Sequence, residues 1–364
     1  MNFIDLRAQI AAYHSEIDDA MRKIVDSAGF VGGPEISALE NELGVFVGSP
    51  NVIACSSGTD ALVLALMGLG IGPGDEVVVP DFTFFASAEA VVLLGATPIF
   101  ADIDLSTYNL TASTVAPCLG PRTKAVIAVS LFGQCADLPS LQDLSRQHGF
   151  TLVEDGAQSY GAARQGARSC STAPISSTSF FPAKPLGGFG DGGAVFVRDS
   201  QLALHIRQMM NHGQESRYHH VSIGINGRLD ALQAAVLRVK LRHFQDELGM
   251  RQQVAARYLQ ELPTTLGLPL EPRQGEVCTW AQFTVRHPER DRICASLATQ
   301  GIPTAVHYPT PLHLQPALAN FGKASCACCP NAERAAREVF SLPMHPFLCT
   351  QDQDCILQAL RDAV

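Results

Sequence analysis

The chain has 364 residues, 46% of them hydrophobic and only 17% charged, with a net charge of −9. That length accommodates two domains of about 100–200 residues, and the acidic balance excludes the basic footprint of a nucleic-acid binder. The longest apolar stretch, Ala61 to Gly72, falls short of the ~20 residues a membrane span needs.

The N-terminal segment MNFIDLRAQ has no basic region followed by an apolar run, so a cytoplasmic protein is expected. The low charged fraction, against an ordinary ~25%, suggests surface buried between subunits. The 11 cysteines are an odd number, scattered through apolar contexts such as Cys55 and Cys135. That scatter fits a reducing compartment better than a disulfide framework. Cys326, Cys328 and Cys329 cluster but lack a nearby fourth ligand, so no metal site is expected.

Residues 1 to about 50 read as a helical arm, bent at Gly29, Gly32, Gly33 and Pro34. Apolar, β-branched runs follow at Val77–Pro80, Pro98–Ile103, Lys124–Ser130, Thr151–Asp155 and Gly193–Val197. Helical stretches at Thr59–Leu69, Ala86–Leu94 and Leu138–His148 lie between several of them. Strand-like runs without alternation, separated by helices, predict a mostly parallel sheet covered by helices on both faces. Asp230–Glu247 predicts a long amphipathic helix. Pro263, Pro269 and Pro272 then break the chain, which predicts a large α/β domain over 1–248 and a smaller C-terminal α+β domain over 249–364.

Lysine is scarce: Lys23, Lys124, Lys184, Lys240 and Lys323. Four have ready solvent-facing explanations, Lys23 and Lys240 on amphipathic helices. Lys184 sits in SFFPAKPLGGFGDGG, among Phe180, Phe181, Pro182 and Pro185. An amine in apolar surroundings titrates low and becomes a nucleophile suited to Schiff-base formation; a stem packed on aromatics with its head in water is the competing reading. Asp155, followed by Gln158 in TLVEDGAQS, closes a buried strand where an α/β sheet presents its site. A carboxylate there suits a protonated pyridine nitrogen, and a helix or turn cap is the alternative. SSGTDAL (Ser56–Leu62) places small polar residues before a helix start, either a phosphate cradle with Ser57 and Thr59 as donors or an ordinary cap. In PDFTFFAS, one of Phe82, Phe84 and Phe85 stacks on a flat cofactor or fills the core.

In this order, SSGTDAL, PDFTFFAS, VEDGAQS, SFFPAK, GGFGDGG and GINGRLDALQAA closely resemble the DegT-like sugar-nucleotide aminotransferases of pyridoxal 5′-phosphate (PLP) fold type I. The resemblance runs from FIDL at Phe3 to SLPMHP at Ser341–Pro346. It implies PLP as cofactor, with pyridoxamine 5′-phosphate (PMP) as its amino-carrying form, and a homodimer with shared sites. Lys184 is implied as the Schiff-base lysine, Asp155 as partner of the pyridine nitrogen, Gln158 as a contact of the phenolic oxygen and Phe84 as the stacking ring. Gly58, Thr59 and Ser179 match phosphate ligands, and Asn226 matches the one supplied by the other subunit. Arg228, His307 and Tyr308 match substrate positions. RYHH (Arg217–His220), AVHYPTPLHLQPA (Ala305–Ala317) and SLPMHP imply L-glutamate as donor and UDP-2-acetamido-2-deoxy-3-oxo-D-glucuronate as acceptor, in bacterial O-antigen synthesis. A 4-keto nucleotide sugar is the nearest alternative, and a non-catalytic PLP-binding regulator a more distant one. Two departures from the pattern are Gly156, where alanine is usual, and Phe84, where tryptophan or tyrosine often stands.

Overall fold

The computed structural model describes residues 1–269, 271–321 and 329–364; Lys323, Cys326 and Cys328 lie outside them. The apolar runs form one seven-stranded sheet. Its strands are β1 (Asn51–Cys55), β2 (Glu76–Pro80), β3 (Thr97–Ala101), β4 (Thr123–Val129), β5 (Thr151–Asp155), β6 (Ile175–Ser179) and β7 (Gly193–Val197), in the order β1-β7-β6-β5-β4-β2-β3. Pairs β2/β3, β2/β4, β4/β5 and β5/β6 are parallel. Only β7 runs the other way, antiparallel to both β1 and β6.

Both faces of this sheet are covered, as unalternating runs require. Within β2, Val77 and Val79 enter one core and Val78 enters the other, all three fully buried. The first core takes α3 (Gly58–Gly68), α4 (Ala86–Leu93) and, further along, Ala203, Ile206 and Met209. The second takes Leu138, Leu141 and Leu144 of α5 (Leu138–His148). Beside it, a third core joins Leu39 and Leu43 to Phe180, Phe196 and Phe244. Sequence reasoning missed β1, β6 and α6 (Ser200–Met210). The missed strand β6 reads ISSTS, too polar for a core strand. Two of its buried hydroxyls are bonded: Ser176 Oγ donates to Glu154 Oε2 (3.3 Å) and Thr178 Oγ1 to the Gly156 carbonyl (3.0 Å), whereas Ser177 Oγ is buried without a hydrogen-bond partner among the described residues.

The N-terminal arm is two helices, α1 (Leu6–Ser27) and α2 (Pro34–Val47), joined through Gly32 and Gly33 at φ +67° and +85°, which only glycine adopts without strain. Asp5 caps α1 by accepting from Ala8 N at 2.9 Å. Ile17 and Ile24 pack on α7 (Ala231–Glu261). That helix has 31 residues and outruns its expected end at Glu247. Its first half packs on the third core through Leu237, Leu241 and Phe244, and its second half on another through Val254, Ala255 and Tyr258. Changing partners midway, with Glu247 and Arg251 buried between, erases a single amphipathic period from the sequence. Lys240, expected in solvent, is also buried, at 3% exposure.

The C-terminal part pairs β8 (Phe283–Arg286) antiparallel with β9 (Val339–Leu342), with α8 (Arg290–Thr299) and α10 (Thr350–Ala363) around a core of their own; α9 (Pro330–Glu338) turns back toward the first core. The division into 1–248 and 249–364, which we propose, falls inside α7. Cys55, Cys135, Cys170 and Cys278 are buried thiols. Among the described residues, no helix is long and apolar enough to cross a membrane and no side-chain group has the makeup of a metal site.

Candidate active site

Strands β1, β2, β5 and β6 all deliver their carboxyl ends to one edge of the sheet. Because β7 is antiparallel, it starts at that same edge, with Gly193 opposite both Cys55 and Ser179. The segment from 180 to 192 therefore leaves and returns there, carrying Lys184. Its backbone is pinned: Lys184 N donates to the Phe181 carbonyl (2.8 Å) and Gly188 N to the Phe180 carbonyl (2.7 Å). Two side chains of α7 hold its far half. Gln233 Oε1 accepts from Phe189 N at 2.8 Å, and Lys240 Nζ donates to the Gly187 carbonyl. Burial pushes the Lys184 pKa down, a shift opposed by the charge of Asp155.

At the neighbouring strand end, Ser57 caps α3, its Oγ accepting from Asp60 N at 3.0 Å. A helix start leaves backbone N–H groups without intrahelical acceptors and carries a positive partial charge. Gly58 lies so close to Ser179 that a Cβ on it would stand 2.6 Å from the Ser179 Cβ. Gly58, Thr59 and Ser179 line one cavity, and a helix start of this kind suits a phosphate.

Asp155, at the end of β5, is 6% exposed. Its Oδ2 accepts from Ser87 Oγ (3.0 Å) and its Oδ1 from Ala157 N (3.1 Å). Burial raises its pKa against those hydrogen bonds and against the attraction of Lys184, so the carboxylate lacks a full counter-charge. One residue on, Gly156 leaves no room for the usual alanine: a Cβ would meet Cys170 Sγ at 2.6 Å. Gln158 Oε1 accepts from Phe132 N at 2.8 Å, and its Nε2 donates to the Tyr308 hydroxyl at 3.0 Å. Phe84 stands on the rim, 54% exposed, its ring 5.9 Å from that of Tyr308. His307 Nδ1 lies 3.1 Å from Ser341 Oγ, and burial, then the charge of Lys184, lowers its pKa.

A cavity of about 470 Å³ joins these groups. Gly58, Thr59, Phe84, Asp155, Gln158, Ser179, Lys184, His307 and Tyr308 all line it. Asn226 and Arg228 do not. Asn226 is exposed and bridges Asn211, while Arg228 Nη1 donates to Asn211 Oδ1 at 2.5 Å and faces a separate cavity with Glu40 and Arg207. Sequence reasoning missed Ser87, which bonds Asp155 from within PDFTFFAS. It also missed Phe3, Ile4 and Gln282, which line the same cavity from distant parts of the chain. Only FIDL offered a signal for the first two.

The residues present fit PLP. A phosphate would suit the helix start, a flat ring would suit the space beside Phe84, and a protonated pyridine nitrogen would supply the cation that buried Asp155 lacks. Lys184, which lines the same cavity, would hold the cofactor through a Schiff base. Fold and site together define a PLP-dependent transaminase of fold type I. The profile of the DegT/DnrJ/EryC1/StrS aminotransferase family matches residues 12–361, and the chain belongs to that family. It is 46% identical to the UDP-2-acetamido-2-deoxy-3-oxo-D-glucuronate aminotransferase of Pseudomonas aeruginosa, over 99% of each chain. The crystal structure of a DegT DnrJ EryC1 StrS aminotransferase from Brucella abortus superposes with a TM-score of 0.96 at 40% identity, covering 100% of this chain and 99% of that one. NtdA from Bacillus subtilis, solved with bound cofactor PMP, gives 0.93 at 27% identity, covering 100% and 85%.

Proposed function

We propose that this enzyme transfers the amino group of L-glutamate to a nucleotide-linked keto sugar, UDP-2-acetamido-2-deoxy-3-oxo-D-glucuronate, in the cytoplasm, on a route to bacterial O-antigen. The observation that carries this reading is the single cavity in which Lys184, Asp155 and the Gly58–Thr59–Ser179 cradle converge. The likeness to the Pseudomonas aeruginosa enzyme over 99% of the chain supports the choice of acceptor.

When bound, PLP supplies an electron sink for the bond broken at the donor's α-carbon. The protein's groups do the rest. Lys184 Nζ, poised toward its neutral form by burial, serves as covalent anchor and then takes and returns the proton. Asp155 holds the proton on the pyridine nitrogen. Gln158 has one amide N–H left for the phenolic oxygen once the other reaches Tyr308. His307 and Tyr308 flank the acceptor.

The working unit we propose is a homodimer. Asn226 follows an exposed hairpin (Gln214–Ser216 with His219–His220) whose neighbours Tyr218 and Ile223 are 80% and 88% exposed. Apolar groups of that size suit burial against a second copy. There Asn226 completes the partner's phosphate site and Arg228 meets the substrate carboxylate. The test is to incubate the purified enzyme with L-glutamate and candidate nucleotide keto sugars and identify the product by mass and NMR. A 3-amino glucuronate is expected. A 4-amino product selects the alternative acceptor, and no turnover on any keto sugar selects a non-catalytic role.

A further inference from the structure

Asp81 follows β2 directly and is fully buried, at 0% exposure. One short segment supplies most of its donors. Leu312 N donates to its carbonyl (2.8 Å), His313 N donates to its Oδ1 (2.8 Å), and His313 Nδ1 lies 2.6 Å from its Oδ2. The Cys329 thiol also bonds the carboxylate, and the other ring nitrogen, His313 Nε2, stands 3.9 Å from Glu333 Oε1 on α9. Taking such a pair out of water is expensive, and apolar residues of similar volume often serve stability as well or better. What a buried pair adds is a fixed geometry between the two segments that carry it.

Both of those segments lead into the Lys184 cavity. Just beyond Asp81 come Thr83 and Phe84, and a few residues before His313 comes Tyr308; all three line the cavity, whereas Asp81 and His313 do not. Pro309 and Pro311 stand between Tyr308 and His313, and each proline ring fixes its own φ, so the arm that bears Tyr308 is stiff. The Tyr308 ring meets Phe82 at 6.3 Å and Phe84 at 5.9 Å, and its hydroxyl accepts from Gln158 Nε2 at 3.0 Å. We infer that Asp81 and His313 are positioning residues: their buried pair clasps the Tyr308 arm to the end of β2 and so holds the Tyr308 hydroxyl on Gln158, the side chain assigned above to the phenolic oxygen of the cofactor. This rests on the transaminase reading above.

The experiment is a double-mutant cycle between His313→Ala and Tyr308→Phe, which removes only the hydroxyl. It is read in two ways: by urea unfolding of the apoprotein, and by the single-turnover rate of the PLP-loaded enzyme with L-glutamate. Each single change should slow turnover by roughly three- to tenfold, the worth of one hydrogen bond. The double variant should be no slower than the slower single, and its stability loss should be smaller than the sum of the two single losses. A second clasp variant, Asp81→Leu combined with His313→Leu, leaves no buried charge unpaired and enters the same cycle, so the outcome does not depend on His313→Ala folding. Effects on rate that multiply overturn the inference. So do unchanged rates in both clasp variants, or fully additive stability losses. Wild-type holoenzyme that does not convert L-glutamate refutes the proposed donor, and the cycle in the apoprotein still decides the clasp.

Discussion

Gly58→Ala isolates the steric logic of the phosphate cradle. The added Cβ would stand 2.6 Å from the Ser179 Cβ, 3.0 Å from its Oγ and 3.2 Å from its Cα. Carbon atoms in contact prefer about 3.5–4.0 Å. The Oγ can rotate away, but the Cβ and Cα are fixed to the backbone, so backbone must move. Overpacking of this kind costs about 1–3 kcal/mol. Alanine for glycine inside a helix returns up to about 1 kcal/mol, and less at the first helical residue. A net loss of about 1–2 kcal/mol is expected, equivalent to a roughly 5- to 30-fold weaker cofactor if the strain falls on the bound state. Titration of the apoprotein with PLP and urea unfolding measure the two quantities. Ser179→Gly removes the opposing Cβ and Oγ. The double variant should therefore recover about 1 kcal/mol relative to the sum of the singles. Additive costs, or full affinity in Gly58→Ala, would refute the argument that the two strand ends are set apart by the missing Cβ.

Asp155→Asn should retain cofactor but lose most of its turnover, since an amide cannot stabilise a pyridinium; near-wild-type kcat would reassign the ring partner. Burial pushes the Lys240 pKa from 10.5 down to about 8. Between these values the unfolded chain keeps that proton and the folded chain releases it, so stability rises with pH across the window, by at most about 1.4 kcal/mol for each pH unit. Lys240→Met should flatten that rise in the apoprotein, and an unaltered slope in urea unfolding would disprove the assignment. Mixing Lys184→Ala with Asn226→Ala protein should restore activity, because one site of the mixed dimer carries neither defect; full activity in a stable monomer excludes the shared site. Arg228→Lys should reduce use of the keto glucuronate by one to two orders of magnitude, about 1.4–2.8 kcal/mol, relative to a keto sugar without the carboxylate. Equal losses on both sugars would remove Arg228 from the carboxylate.

Local sequence specified the parallel α/β architecture, because strands buried on both faces must be apolar throughout, as VVVP and AVIAV are. It placed Asp155 at a strand end, Gly58 and Thr59 at a helix start and Lys184 among aromatics and glycines, since each signal lies within a few residues. Packing determined what depends on distant partners. It buried β6 while bonding the Ser176 and Thr178 hydroxyls, and it reversed β7, so that the Lys184 segment returns to the active edge. It carried α7 through to Glu261 by giving it a second core, and it buried Lys240 against the Gly187 carbonyl. It also brought Phe3, Ile4 and Gln282 to a cavity whose other walls lie far away along the chain, and directed Arg228 to Asn211 and a different cavity. Periodicity and capping are local and survive in one dimension, whereas which buried polar atom finds a partner is settled only once the chain is packed.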